Sequence, residues 1–137
     1  MPLPPAFEER GPVEQIVGAV VVTMAFGLVT GLALGWNEVV YYLLVGPIAL
    51  LGGFVGGMEH RGGEEGFLRG AACGLVYGSF ILLGLEILNT EPKAYLGEPQ
   101  VGLVFVTTIV GAILGALGGS YRVRSEREPG PAPAGGT

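Results

Sequence analysis

The sequence predicts an all-α, polytopic membrane protein with four transmembrane helices arranged as two helical hairpins. Half of its 137 residues are hydrophobic and 14% are charged, against roughly 25% charged residues in an average soluble domain. The apolar residues fall in four runs, each close to the ~20 residues that a helix needs to cross the hydrocarbon core. Glycine contributes 26 residues and recurs at intervals of four, a spacing typical of close helix packing in lipid.

The chain divides into three parts. Residues 1–12 form a polar N-terminal tail, residues 13–124 a four-helix transmembrane domain, and residues 125–137 a Pro/Ala/Gly-rich tail that should be disordered. The four spans are predicted at about 13–35, 39–58, 66–88 and 101–120.

The links between the spans favour hairpins. Only Asn37 and Glu38 separate the first two spans, and so short a link forces an antiparallel pair. Span two and span four both end in Gly-x-x-Gly-Gly, at residues 53–57 and 115–119, before a charged stretch. This similarity suggests a tandem repeat of one hairpin.

The four-residue glycine ladders predict where the helices touch. A glycine inside a helix costs about 1 kcal/mol relative to alanine in water, whereas in a bilayer a small residue lets a second helix approach closely. We expect these grooves to pack the bundle, and at least one of them to face a second copy or another protein. The candidate packing residues are Gly27, Gly31, Gly35, Gly53, Gly57, Gly66, Gly70, Gly74, Gly78, Gly111, Gly115 and Gly119.

Charge predicts the orientation and the class of partner. With four spans, both termini and the 59–65 loop share one side, which holds all six arginines, while the other side holds only Lys93. The positive-inside rule therefore places both termini in the cytoplasm of a multi-pass plasma-membrane protein. No basic run could neutralise a nucleic acid backbone, so the expected partners are the lipid bilayer and further copies or a larger membrane complex.

A few polar residues within the spans are candidates for moving an ion or solute. Glu86 lies near the end of span three, and carboxylates inside membranes often belong to ion or proton paths. Pro47 should kink span two and expose a carbonyl, and Thr107 and Thr108 are the main polar residues of span four. Each has a plainer interpretation, because Glu86 can reach the interface, and proline is common in membrane helices.

Other single residues favour structural roles. Arg69 is expected to extend its side chain to the headgroups, His60 to be solvated in its loop, and Cys73 to serve as a small packing residue. Trp36, Tyr41, Tyr42 and Tyr121 are expected to form an interfacial aromatic belt.

These observations favour no enzyme, cofactor or metal site. The single histidine and single cysteine rule out a Cys/His zinc cluster, and no catalytic constellation is visible. The first hypothesis is a structural or accessory membrane protein that associates through glycine-lined helix faces. The alternative is a small channel or transporter for an ion or small solute.

The middle of the chain carries one resemblance. Pro47 is followed by Gly-Gly at 52–53, the polar turn 59–65 and the repeat Gly66-x-x-x-Gly70-x-x-x-Gly74-Leu75. This arrangement resembles small, four-span, glycine-rich membrane proteins of archaea and bacteria. The resemblance implies the same helical bundle, and because no activity is established for such proteins it implies no functional residues.

Overall fold

Four long helices form the chain in the computed structural model, which describes residue 3 and residues 5–96 and 98–128. Each helix is long and apolar enough to cross a membrane, and no strand occurs within those residues. The prediction of an all-α protein with four candidate membrane-spanning helices is therefore confirmed. The helices are α1 (Pro12–Trp36), α2 (Glu38–Met58), α3 (Gly63–Leu88) and α4 (Gly102–Arg127).

Local sequence explains where the helices begin and end. Pro12 is the first residue of α1, a position where its missing N–H group costs nothing. Asn37 caps α2, because its side-chain oxygen accepts hydrogen bonds from the backbone N–H groups of Val39 (2.8 Å) and Val40 (3.3 Å). Asn89 follows α3 in the left-handed conformation, with φ of 49°, and so ends that helix.

Two helices extend well beyond their predicted bounds, whereas the ends of α1 and α2 differ from the prediction by one residue at most. α3 begins at Gly63 rather than at residue 66. α4 continues to Arg127, past its predicted end at 120 and into the tail predicted to be disordered. Ion pairs one turn apart, Arg122–Glu126 and Arg124–Glu128, support this last stretch. The remainder of that predicted tail, residues 129–137, lies outside the described residues.

The centre of the fold is the antiparallel pair of α3 and α4, which make the most extensive contact between any two helices. A Cβ atom added to any of three α3 glycines would come closer than 3.0 Å to the backbone of α4. Only glycine permits that separation. The facing residues run in antiparallel order: Gly66 with Gly115, Gly70 with Gly111, and Gly74 with Thr107.

The other two helices pack on the outside of this pair. α1 lies mainly on α3 and α2 mainly on α4, while α1 and α2 share little contact. Gly31 of α1 lies against the backbone of Ile81 in α3, and Gly57 of α2 against that of Gly115 in α4. The one-residue turn at Asn37 thus joins two helices whose main neighbours are elsewhere.

The apolar core lies at the end of the bundle where α1 stops. Leu34, Ile81 and Leu85 pack there with the rings of Tyr41 and Tyr77. Tyr41 is only 3% exposed, so the prediction that it belongs to the aromatic belt was wrong: its ring fills space between helices. Trp36, Tyr42 and Tyr121 are exposed on the surface.

Candidate functional site

A cavity of about 220 Å³ lies between the four helices. Its wall is mostly apolar and includes Val22 and Phe26 of α1 and Ile48 and Val55 of α2. The space exists because α1 and α2 pack on separate members of the α3–α4 pair and share little contact with each other. The cavity reaches Glu59 and Arg69, at the end of the bundle where α2 stops and α3 begins.

Five residues meet at that end, and we call them the Glu59 cluster: Phe7, Arg10, Glu59, His60 and Arg69. Glu59 Oε1 lies 3.0 Å from Arg10 Nη2, and Glu59 Oε2 lies 3.5 Å from Arg69 Nη2. The Glu59 and Arg69 side chains are 11% and 12% exposed. Two guanidinium groups therefore share one carboxylate in a place largely removed from water, where charge interactions are strong.

The N-terminal segment, residues 6–10, covers this cluster. The backbone N–H of Phe7 donates a hydrogen bond of 2.7 Å to the Glu59 carbonyl. The Phe7 ring lies 5.3 Å from the Arg69 guanidinium carbon and 5.0 Å from the His60 ring, within cation–π range of the arginine. Gln15 Nε2 donates to the carbonyls of Phe7 (2.9 Å) and Arg10 (3.0 Å), which fastens the segment to α1.

Three polar atoms of the cluster lack a hydrogen bond. Within the described chain, Glu59 Oε2, His60 Nε2 and Arg69 Nε are buried and make no hydrogen bond. A buried polar atom without a hydrogen bond costs about 1–3 kcal/mol. Glu59 and Arg69 both line the cavity, so its polar end contains one acceptor and one donor that make no hydrogen bond.

His60 is held in its neutral form. Burial lowers the pKa of His60, and the neighbouring Arg69 guanidinium lowers it further, while the carboxylates of Glu65 and Glu59 act in the opposite direction. His60 Nδ1 lies 3.7 Å from Glu65 Oε2. Since the ordinary pKa of histidine is about 6.5, His60 is uncharged at neutral pH.

The four candidates for ion or solute movement do not come together. Glu86 is exposed near the end of α3, and Pro47 is exposed on α2. Thr108 Oγ1 donates to the Val104 carbonyl of its own helix at 2.6 Å. Thr107 alone lines the cavity, and its hydroxyl donates to the Gly74 carbonyl across the α3–α4 contact at 2.8 Å.

The predicted packing glycines all lie against another part of the chain. A Cβ atom added to any of the twelve would come closer than 3.0 Å to a neighbouring atom. Three glycines of α2, by contrast, have no described atom within 4 Å of such a Cβ: Gly46, Gly52 and Gly56. The glycine ladders of α1, α3 and α4 thus contact other helices of the same chain. α2 in addition has glycines that contact no other helix.

Sequence reasoning missed the Glu59 cluster. Arg69 was expected to reach the headgroups and His60 to be solvated, yet Arg69 pairs with Glu59, and the His60 side chain is only 14% exposed. Phe7 and Arg10 were assigned to a polar tail. The available signal was Phe7, the one aromatic residue in that tail, together with the arginines and glutamates of the tail and of the 59–65 loop.

Cys73 lies in the cavity wall rather than inside the α3–α4 contact. Its thiol donates to the Ala19 carbonyl at 3.7 Å and accepts from the Thr23 hydroxyl at 3.9 Å. Ala19 belongs to a π-helical turn, Val17–Val21, within α1. These weak bonds join α1 to α3 beside the cavity.

Comparison with family models, curated proteins and solved structures finds no match to this chain. Within the residues that the structure describes, no group of three His, Cys, Asp or Glu side chains could hold a metal ion. Function must therefore be inferred from the geometry of the chain itself.

Proposed function

We propose that the protein is a structural or accessory protein of the plasma membrane that associates with further copies of itself, or with a larger membrane complex, through α2. The observation that carries this proposal is how little of α2 the rest of the chain covers. In its most apolar stretch 6% of the residues are buried, against 22% in α1, 33% in α3 and 28% in α4.

The free side of α2 has a shape suited to another helix. Val39, Leu43, Gly46, Pro47 and Leu50 follow one another at helical spacing, and we call them the α2 outer face. Val39, Leu43 and Leu50 are 64%, 68% and 56% exposed. Lipid tails are as apolar as these side chains, so exposure alone does not drive association. A glycine without neighbours does permit the close backbone contact that holds membrane helices together.

The central helix pair suits a scaffold. The backbones of α3 and α4 lie directly against each other between the Gly66–Gly115 pair and the Gly74–Thr107 pair. No flexible side chains therefore separate the two helices there. Close packing of this kind resists deformation. A rigid pair that carries one more exposed helix is a reasonable platform for assembly.

The finer architecture is part of the same proposal. We propose that α1–α2 and α3–α4 are two copies of a hairpin, an idea supported by the Gly-x-x-Gly-Gly sequence that occurs in α2 at residues 53–57 and again in α4 at residues 115–119. Cytoplasmic termini are supported by the arginines that meet where α2 ends. Arg10 and Arg69 pair with Glu59 there, and Arg122 donates to the Met58 carbonyl at 2.8 Å.

Disulfide cross-linking tests the association. In a background where Cys73→Ser removes the native thiol, Leu43→Cys should form a cross-linked dimer on oxidation, because residues near a two-fold axis meet their own copies. The native mass in mild detergent should be that of an oligomer. Phe105→Cys is the matched control, since Phe105 is 67% exposed near the start of α4. A monomeric mass, with equal cross-linking at both positions, would contradict association through α2.

The alternative, a small channel or transporter, has the cavity in its favour. The mostly apolar wall and the exposed positions of Glu86 and Pro47 give it less support, because a conductor needs a continuous polar path. Ion flux in proteoliposomes that falls when Glu86→Gln is introduced would favour this alternative. We expect no such flux.

A further inference from the structure

We propose that the cavity binds a small, mostly apolar molecule with one neutral group that both donates and accepts a hydrogen bond, such as a medium-chain alcohol. This binding site goes beyond association through α2 and does not depend on it, because the cavity and the α2 outer face are formed by different residues.

The size and lining of the cavity fit such a molecule. An apolar cavity of about 150 Å³ is large enough to hold benzene, and the cavity here is about 220 Å³. Val22, Phe26, Ile48 and Val55 supply apolar contacts for a hydrocarbon chain. Burial of that chain is the main source of affinity expected for a ligand of this kind.

The ligand can reach the cavity from the membrane. Phe26 of α1 and Val55 of α2 both line the cavity, yet they are 48% and 40% exposed. Gly52 and Gly56 also line it, and no described atom lies within 4 Å of a Cβ built at either position. The mouth of the cavity is therefore the glycine-lined gap between α1 and α2, the two helices that share little contact.

The polar end selects the headgroup. Glu59 Oε2 can accept a hydrogen bond and Arg69 Nε can donate one, and both are buried and make no hydrogen bond among the described residues. Glu59 Oε2 lies 3.5 Å from Arg69 Nη2 in an ion pair. A carboxylate headgroup has no proton to donate to Glu59 Oε2, and an ammonium group would be repelled by Arg69 and Arg10. A neutral hydroxyl satisfies both atoms, since it donates to the carboxylate and accepts from the guanidinium.

Photolabelling tests the site on the unaltered protein. The probe is octanol that carries a diazirine on its chain, applied to the full chain in lipid nanodiscs, with labelled residues located by mass spectrometry. We expect labels on cavity-lining segments of α2 and α3, and competition by excess octanol. The matching diazirine-bearing octane, which lacks the hydroxyl, should label these segments about tenfold less, because it leaves two buried polar atoms without a hydrogen bond.

Two variants and one control separate the parts of the site. Gly56→Leu places a side chain in the mouth and should abolish labelling, whereas the control Ala25→Leu introduces the same side chain on the exposed face of α1 and should leave labelling unchanged. Arg69→Lys keeps the charge and removes the Nε donor, so octanol labelling should fall to about that of the octane probe. Thermal unfolding of each variant reports whether the fold is retained.

Several results would overturn the proposal. Equal labelling by the alcohol and the alkane would show an apolar space filled by lipid tails, with no selection of a headgroup. Labels confined to residues outside the cavity, or unchanged labelling in folded Gly56→Leu, would show that no ligand enters. The comparison of the two probes needs no variant, so it decides the matter even if Gly56→Leu does not fold.

Discussion

Single glycines decide how closely the helices of this protein approach. Gly74 lies against the backbone of Thr107 and Thr108 in α4, so Gly74→Leu must push α3 and α4 apart. Overpacking typically costs 1–3 kcal/mol, and here backbone must move, so we expect a loss of about 3 kcal/mol. Thermal unfolding in detergent, followed by circular dichroism, measures it.

The control for this prediction is Gly52→Leu, the same substitution at a glycine with open space around it. Its unfolding temperature should not fall below that of the unaltered protein, because the added side chain meets open space and leucine has a higher helix propensity than glycine. If both variants unfold at the same temperature, close contact between α3 and α4 is not what these glycines provide.

His60 should make the protein sensitive to mild acid. Its pKa is lowered in the folded chain, first by burial and then by Arg69, so the unfolded chain binds more protons below pH 6.5. Stability from this group is fully present above about pH 6.5 and is lost as the pH falls below that value towards the lowered pKa. The unfolding temperature measured between pH 7.5 and 5.5 should therefore drop on acidification.

The variant His60→Gln isolates the histidine from the nearby carboxylates. Glu65 and Glu59 also face this position and oppose the shift, and they remain in the variant. The unfolding temperature of His60→Gln should depend less on pH over the same range. An identical pH dependence in the two proteins would mean that other groups are responsible.

At the scale of the elements, the N-terminal segment is held over the Glu59 cluster by α1. Gln15→Ala removes both hydrogen bonds to the Phe7 and Arg10 carbonyls, each worth about 1 kcal/mol. The Phe7 amide, which donates to the Glu59 carbonyl, should then exchange its hydrogen about tenfold faster. Hydrogen exchange with mass spectrometry over residues 6–10 measures this.

Glu14→Ala serves as its control, because Glu14 is exposed on the same turn of α1. Exchange over residues 6–10 should be unchanged in that variant. Unchanged exchange in Gln15→Ala as well would show that Phe7 and Arg10 hold the segment without help from α1.

The elements also show what sequence could and could not predict. Long apolar runs predicted all four helices, because the length and hydropathy of a run are properties of consecutive residues. Four-residue spacing identified glycines such as Gly70 and Gly111, which do lie against each other. The Glu59 cluster draws Arg10 from the tail, Glu59 from a loop and Arg69 from a helix. No periodic pattern links residues so far apart, so only the packing of the helices reveals them.

At the scale of the whole molecule, tight and loose contacts are unevenly distributed. Glycine brings α3 and α4 together along most of their length, whereas α1 and α2 pack outside this pair and share little contact with each other. The cavity is the consequence of that difference. Its polar end and the segment that covers it lie together at one end of the bundle, so the orientation of the bundle determines which side of the membrane they face.

That orientation yields the final prediction. All six arginines belong to the segments on one side of the bundle and Lys93 to the other side, so the positive-inside rule predicts that the Glu59 cluster lies at the cytoplasmic face. In a Cys73→Ser background expressed in bacterial cells, Lys93→Cys should react with a membrane-impermeant maleimide added outside. Arg61→Cys should react only after the membrane is permeabilised. Both side chains are exposed, so access to the reagent, rather than burial, decides the result. The reverse pattern would place the cluster outside the cell, and labelling of both in intact cells would mean mixed insertion, which a six-to-one bias should prevent.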